Sequence, residues 1–249
     1  MDKALYIAMT GAKHNMLAQV SHSNNLANVN TTGFKADFEQ ARSMPVLYGD
    51  GQPTRAFALV ERPATDFAHG ALNETGRDLD VAVESDGFIA VQGSDGQEAY
   101  TRAGSLYIDS VGMLRTGNGL PVMGNGGPIA IPAAEKIEIA FDGAITIVPL
   151  GGQVDAIAQI DRIKLVNPDP DTMTKSEDGL FRQKNPEGEL PPDGAVRIIS
   201  GFLEASNVNA VNELTSILSL SRQYEMQVKM MQTVKENSES SASLLQMNG

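Results

Sequence analysis

The spacing of apolar residues changes twice along the chain. From residue 3 to about 30, Leu5, Met9, Ala12 and Met16 recur four, three and four residues apart, which places them on one face of a predicted helix. Leu17, Val20, Leu26 and Ala27 widen or continue that stripe, while Lys13, Asn15, Gln19 and Asn25 fall opposite. The helical pattern stops within Ser23 to Lys35, where four Asn, two Thr and Gly33 crowd together. Asn and Thr bond back to nearby backbone and favour helix ends, and Gly tolerates positive φ. Phe34 follows as an apolar anchor, so this segment ends the helix, turns the chain and docks it.

Residues 36 to 78 hold no sustained period and are punctuated by Pro and Gly, with short extended pieces such as Phe57 to Val60. They predict an extended connector that contains a hairpin. From 79 to about 200, short alternating runs are separated by Asp-Gly and Gly-rich turns, which predicts an antiparallel sandwich or barrel. Ile160 to Val166 is the clearest of these strands, and residues 167–179 and 185–194 read as loops. From Ile217 the period becomes helical again. Ile217, Leu220, Tyr224, Gln227, Met231, Val234, Ser238, Ser241 and Leu245 alternate three and four residues apart, as in a coiled-coil seam. Asn209 is the expected N-cap, with Glu213 in the first turn. A helix over 209–247 would be ~58 Å long, more than a small β domain can cover. The expected fold is therefore α+β: long N- and C-terminal helices, coiled-coil-like when assembled, flanking a mainly β middle domain of short antiparallel strands. The expected division is a helix at 1–30, a connector at 31–78, a β domain at 79–200 and a second helix at 201–249. A stable proteolytic core is expected to cover roughly 75–205, because unsupported termini are cut first.

Composition narrows the function classes. The 249 residues carry 31 Asp and Glu against 19 Lys and Arg, a formal charge of -12. An acidic surface argues against nonspecific binding to nucleic acid or anionic membranes. No cysteine is present, which excludes disulfides, thiol catalysis and Cys-ligated metals. No apolar run reaches membrane-spanning length, and Asp2, Lys13 and His14 deny the N-terminus a secretory signal's apolar stretch.

Catalytic patterns are absent too. His14, His22 and His69 form no metal-binding spacing and read as surface or capping residues. The Gly-rich segments at 117–119 and 124–127 precede no helix and no Lys-Ser/Thr pair, so they read as turns and not as phosphate loops. Asp169, Asp171 and Asp178 lack the order of a calcium loop, and Asp78 with Asp80 reads as solvated surface. No catalytic, cofactor or metal site is expected.

The residues do resemble a known family. Ser23-Asn24-Asn25-Leu26-Ala27-Asn28, followed by Thr31-x-Gly33-Phe34-Lys35, is similar to the N-terminal signature of bacterial flagellar rod and hook proteins. Gly201 to Asn209 (Gly-Phe-Leu-Glu-Ala-Ser-Asn-Val-Asn) resembles the second signature of that family. Leu79 to Val83 with Gly87-Phe88, and Tyr100-Thr101-Arg102-x-Gly104, look like its middle motifs. The ordered set spans the chain. Met1 to Tyr6, Arg42 to Val46 and Pro53-Thr54-Arg55 look most like its proximal rod branch, with the distal rod branch the near alternative. The short middle region disfavours the hook branch.

The resemblance implies a non-enzymatic subunit, exported by the flagellar type III apparatus without a cleaved signal. It implies helical assembly with other rod subunits into a hollow, torque-bearing shaft across the periplasm, helices inside and β domain outside. The implied assembly residues are Leu5, Met9, Ala12, Met16, Leu26, Asn28, Gly33, Phe34, Asn207, Ile217, Leu220, Tyr224, Met231, Val234 and Leu245. Ser23 to Lys35 then becomes the elbow between helix and β layer, and Gly33→Val is expected to impair assembly more than folding. An extracellular cell-wall glycan hydrolase and a self-standing adhesin or fibre are the readings from other classes.

Overall fold

The computed structural model describes residues 3–38, 41–45, 56–60, 64–151, 157–185 and 188–247, with backbone only at 3, 41–45, 56–60 and 244–247. Met1, Asp2, Val46, Pro53, Thr54 and Arg55, which contribute to the resemblance, and the side chain of Leu245 lie outside the described residues. The chain forms two compact units, one comprising residues 1–29, 36–66 and 208–249 and the other residues 30–35 and 67–207. These units cut across the division into four segments expected above.

The first unit holds α1 (Lys3–Ala27), β1 (Asp37–Phe38), β2 (Ala41–Pro45), β3 (Ala56–Val60), β4 (Ala64–Thr65) and α2 (Ala210–Met247). The hairpin expected between 36 and 78 is β2–β3, antiparallel, and β3 packs on α1. Asn209 caps α2 through its Oδ1, which accepts from the N–H groups of Val211 and Asn212 at 3.0 and 3.2 Å. Near the end of α1, the buried Asn25 holds both backbone polar groups of one β1 residue. Its Nδ2 donates to Asp37 O at 2.7 Å and its Oδ1 accepts from Asp37 N at 2.9 Å.

The second unit is the β domain. Its strands are β5 (Leu72–Glu74), β6 (Val81–Val83), β7 (Phe88–Gln92), β8 (Glu98–Thr101), β9 (Leu106–Ile108) and β10 (Leu114–Thr116). They continue as β11 (Met123–Gly124), β12 (Gly127–Pro128), β13 (Ala134–Ile139), β14 (Ala144–Pro149), β15 (Ala158–Arg162) and β16 (Leu165–Val166). β17 (Met173–Lys175), β18 (Phe181–Gln183), β19 (Ile198–Ser200) and β20 (Phe202–Glu204) complete the set. A sheet in the order β16-β7-β8-β18-β17 and a second in the order β13-β14-β15 carry most of the pairing, all antiparallel.

β7 is buried on both faces, so its period of two divides residues between two cores. Ile89 and Val91 join an aliphatic core with Leu106, Leu114, Ile145 and Ile163. Phe88 and Ala90 join Tyr100, Met173 and Phe181, where Phe67, Phe88 and Phe181 meet edge-on or tilted with centroids 5.1–6.0 Å apart.

Two expectations are corrected. Ile160 to Val166 is not one strand, because it divides into β15 and β16, which belong to different sheets. The break falls at Ile163 and Lys164. Lys164 turns its side chain inward to Glu98 at 2.6 Å, and alternation cannot register that choice. The expected loop at 167–179 contains a short 3-10 turn and β17, whose Met173 fills the aromatic core.

Candidate assembly interface

The two terminal helices pack against each other within the first unit. A side chain on Gly11 would meet Gln227, while His22 Nδ1 lies 2.5 Å from Glu213 Oε2 and Asn25 Nδ2 lies 3.5 Å from Glu213 Oε1. Rising numbers on α1 thus meet falling numbers on α2, so the pair is antiparallel. Gly11, His22 and Asn25 share the face traced by positions 11, 15, 18, 22 and 25. That side lies about 130° around the helix from the predicted stripe at the helical 100° per residue.

The stripe itself is bare. Leu5, Met9 and Met16 are exposed, as are Tyr6, Leu17 and Val20 beside them. Ala12, at its margin, is buried. On α2, Ile217, Leu220, Gln227, Met231 and Val234 are half-buried along one line that includes Glu213, while Tyr224 and Ser241 on that line are exposed. Val211, Leu214 and Leu218 lie bare on the far side, and Met226 and Met230 are exposed further along, about 100° around the helix from them. Each helix therefore has one face on its partner and a second apolar face in solvent. At 1.5 Å per residue α2 is ~57 Å long and α1 ~38 Å, so α2 overshoots its partner.

In the second unit, three signature segments far apart in sequence meet at one buried ionic knot. Glu204, 1 % exposed, accepts from Lys35 Nζ at 2.6 Å and Gly70 N at 2.9 Å through Oε1, and from Arg102 Nη1 at 3.0 Å through Oε2. Lys35 is 1 % exposed and also donates to Ala68 O, and Arg102 is 3 % exposed and also donates to Ser85 O and Gly87 O. His69 Nδ1 lies 2.8 Å from Arg102 Nη1. Arginine only donates, so the ring proton sits on Nε2, which faces Asp86 Oδ1 at 3.1 Å.

Burial works against the Glu204 charge, but the Lys35 hydrogen bond and the Arg102 charge override it and hold the carboxyl below its ordinary range. The same cluster explains Gly33 and Phe34. Gly33 has φ +68, donates its N–H to Glu204 O at 2.8 Å, and leaves only 2.3 Å between a would-be Cβ and the Arg102 backbone. Phe34 is buried, with Lys175 Nζ 3.8 Å from its ring centroid. Asn207 closes the ring by donating to Phe34 O at 3.4 Å and, through Nδ2, to Ala68 O at 3.2 Å.

The predicted residues thus fall into two groups. Leu5, Met9, Ala12, Met16, Leu26, Asn28, Ile217, Leu220, Tyr224, Met231 and Val234 belong to the helical unit, where Leu26 and Asn28 are half-buried and Asn28 Nδ2 bonds Asn24 O. Gly33, Phe34 and Asn207 belong to the β unit. Sequence reasoning missed Lys35, Arg102 and Glu204 as a set. The available signal was a single charge inside each of three otherwise uncharged motifs. His22 and His69 are also more than surface or capping residues, since each engages a charged partner. Among the described residues no group of three or more His, Asp or Glu side chains is placed to hold a metal. No helix among them is long and apolar enough to cross a membrane.

Comparison with known proteins matches these same segments. Residues 5–35 match the family described as flagella basal body rod protein. Residues 82–147 match the flagellar hook protein FlgE/F/G D1 domain, and residues 199–244 match the flagellar basal body rod FlgEFG protein C-terminal family. The chain belongs to the flagellar basal-body rod family. Within that family it is similar to the flagellar basal-body rod protein FlgF of Escherichia coli strain K12 and to that of Salmonella typhimurium. Each is 39% identical over 100% of both chains. The FlgG rod protein of Bacillus subtilis is 34% identical over 95% of this chain and 96% of its own.

Proposed function

We propose that this chain is a structural subunit of the flagellar basal-body rod, of the proximal type, that polymerises through its terminal helices. The observation that carries this is the second apolar face left in solvent on both α1 and α2. Soluble monomers rarely keep contiguous apolar surface of this kind, and it suits burial against further copies and neighbouring rod subunits. Contacts that join different surfaces head to tail do not close into a ring, so they generate helical filaments. Coiled-coil packing of α1 and α2 with those of neighbours would form the wall of a hollow shaft able to carry torque. The buried knot would keep the β unit rigid under that load.

Full-length identity to FlgF supports a proximal over a distal place in the rod, and no enzymatic activity is assigned. Export by the flagellar type III apparatus, without a cleaved signal, is part of the same reading. Immunogold labelling of purified basal bodies tests it. Gold on the rod is expected, and its absence there, with the chain present elsewhere in the cell, would overturn the assignment.

A further inference from the structure

The bare faces of α1 and α2 are unusual in one chemical respect. Met9 is 52 % exposed, Met16 59 %, Met226 60 % and Met230 52 %, and they are the four exposed methionines among those whose side chains are described. Met173 is buried at 4 %, while Met113, Met123 and Met231 are partly covered. Met9 and Met16 sit seven residues apart on the α1 stripe, and Met226 and Met230 one turn apart on α2. The chain has no cysteine to intercept an oxidant first.

We propose that these four methionines form an oxidation-sensitive site at which peroxide blocks assembly. The inference rests on the rod-subunit reading above. The thioether lone pair attacks one peroxide oxygen, the O–O bond breaks, and the departing hydroxide takes up the proton to leave as water. Sulfur is oxidised to the sulfoxide and peroxide is reduced, so hydrogen peroxide is the only co-reactant. The product is a polar side chain where an apolar contact is needed, and burying its oxygen unpaired opposes association. Within a single free chain the same groups stay in solvent, so oxidation leaves the fold intact. Reduction of the sulfoxide restores the thioether and with it the contact.

The test uses cells lacking the chain, complemented with the full-length protein or with the M9L/M16L/M226L/M230L variant. Both are given a peroxide pulse during rod assembly. Peptide mass spectrometry follows sulfoxide in the unassembled pool and in purified basal bodies. Sulfoxide at the four positions is expected to be depleted about tenfold or more in basal bodies relative to the pool. Assembly after the pulse is expressed relative to the same protein's own untreated assembly; the leucine variant is expected to lose little of it, while the methionine protein stalls. Equal sulfoxide content in pool and basal bodies, or equal stalling of the two proteins, overturns this inference and leaves the rod-subunit reading standing. Failure of the untreated methionine protein to enter basal bodies overturns both.

Discussion

Removing Glu204 should release the buried knot. In Glu204→Ala the cations of Lys35 and Arg102 remain buried at 1 % and 3 % exposure without their shared anion, and Gly70 N loses its acceptor. Breaking a buried pair on one side typically costs about 3–5 kcal/mol. Lys35 keeps Ala68 O, and Arg102 keeps Ser85 O and Gly87 O, so the lower end, about 3 kcal/mol, is expected here. That is roughly two orders of magnitude in the opening equilibrium. The assay is native-state hydrogen exchange of core amides such as Ile89 and Val91, read by mass spectrometry on the free chain. Because the chain has two units, exchange confined to the β domain is cleaner than one melting temperature. Glu204→Gln keeps the shape and loses the charge, so about 2 kcal/mol is expected. Pairing it with Lys35→Met should recover part of the loss through a coupling of about 1–2 kcal/mol. If Glu204→Ala shifts core exchange by less than about fivefold, ~1 kcal/mol, the carboxylate is not what holds these cations and the reasoning fails.

Further outcomes follow from the same geometry. The Glu204 carboxyl titrates below its ordinary 4.5 in the folded chain, so its contribution is complete above that pH and lost as pH falls through the folded-state value. β-domain protection should therefore decline below pH 4.5, and Glu204→Gln should flatten that decline. Gly33→Val forces a branched side chain to φ +68 against the Arg102 backbone, so core exchange should rise by an equivalent of about 2 kcal/mol or more. Asn25→Ala removes both bonds to the Asp37 peptide, and faster exchange of the Asp37 amide, worth about 1–3 kcal/mol, is expected by NMR. Leu218→Asp places a charge on a face already in solvent, so helicity by circular dichroism should be unchanged while recovery in basal bodies falls about tenfold or more.

The ends of the fold were legible because long helices repeat their signal many times. Both helices and the Asn209 cap follow from spacing and capping chemistry. Which face of α1 meets α2 did not follow. The apolar stripe was the natural choice, yet the intrachain contact uses small and polar residues, Gly11, His22 and Asn25. An apolar stripe marks burial without naming the surface that buries it. Strand positions were largely visible, but the break at Lys164 was not, since it depends on a carboxylate 66 residues away. The knot was hidden for the same reason. Lys35, Arg102 and Glu204 each lie within a separate motif, and only the tertiary fold brings them together. Gly33 changes meaning accordingly. It lies under the Arg102 backbone inside the β unit, so Gly33→Val strikes folding directly and does not separate assembly from it. Ile217 and Leu220 are half-buried within their own helix pair, so the exposed Leu218 probes assembly without disturbing that pair.

The central claim is that the bare helix faces become buried in the rod. A chain without cysteine allows single-cysteine probes at Met9, Met16, Leu218 and Met230. Maleimide labelling is compared between the purified free chain and intact basal bodies carrying the same variant. The expected result is rapid labelling of all four positions in the free chain and strong protection in basal bodies, with an exposed β-domain control such as Val111→Cys labelled in the free chain. Equal labelling of the four helix positions in the free chain and in rods that contain the variant would contradict the account.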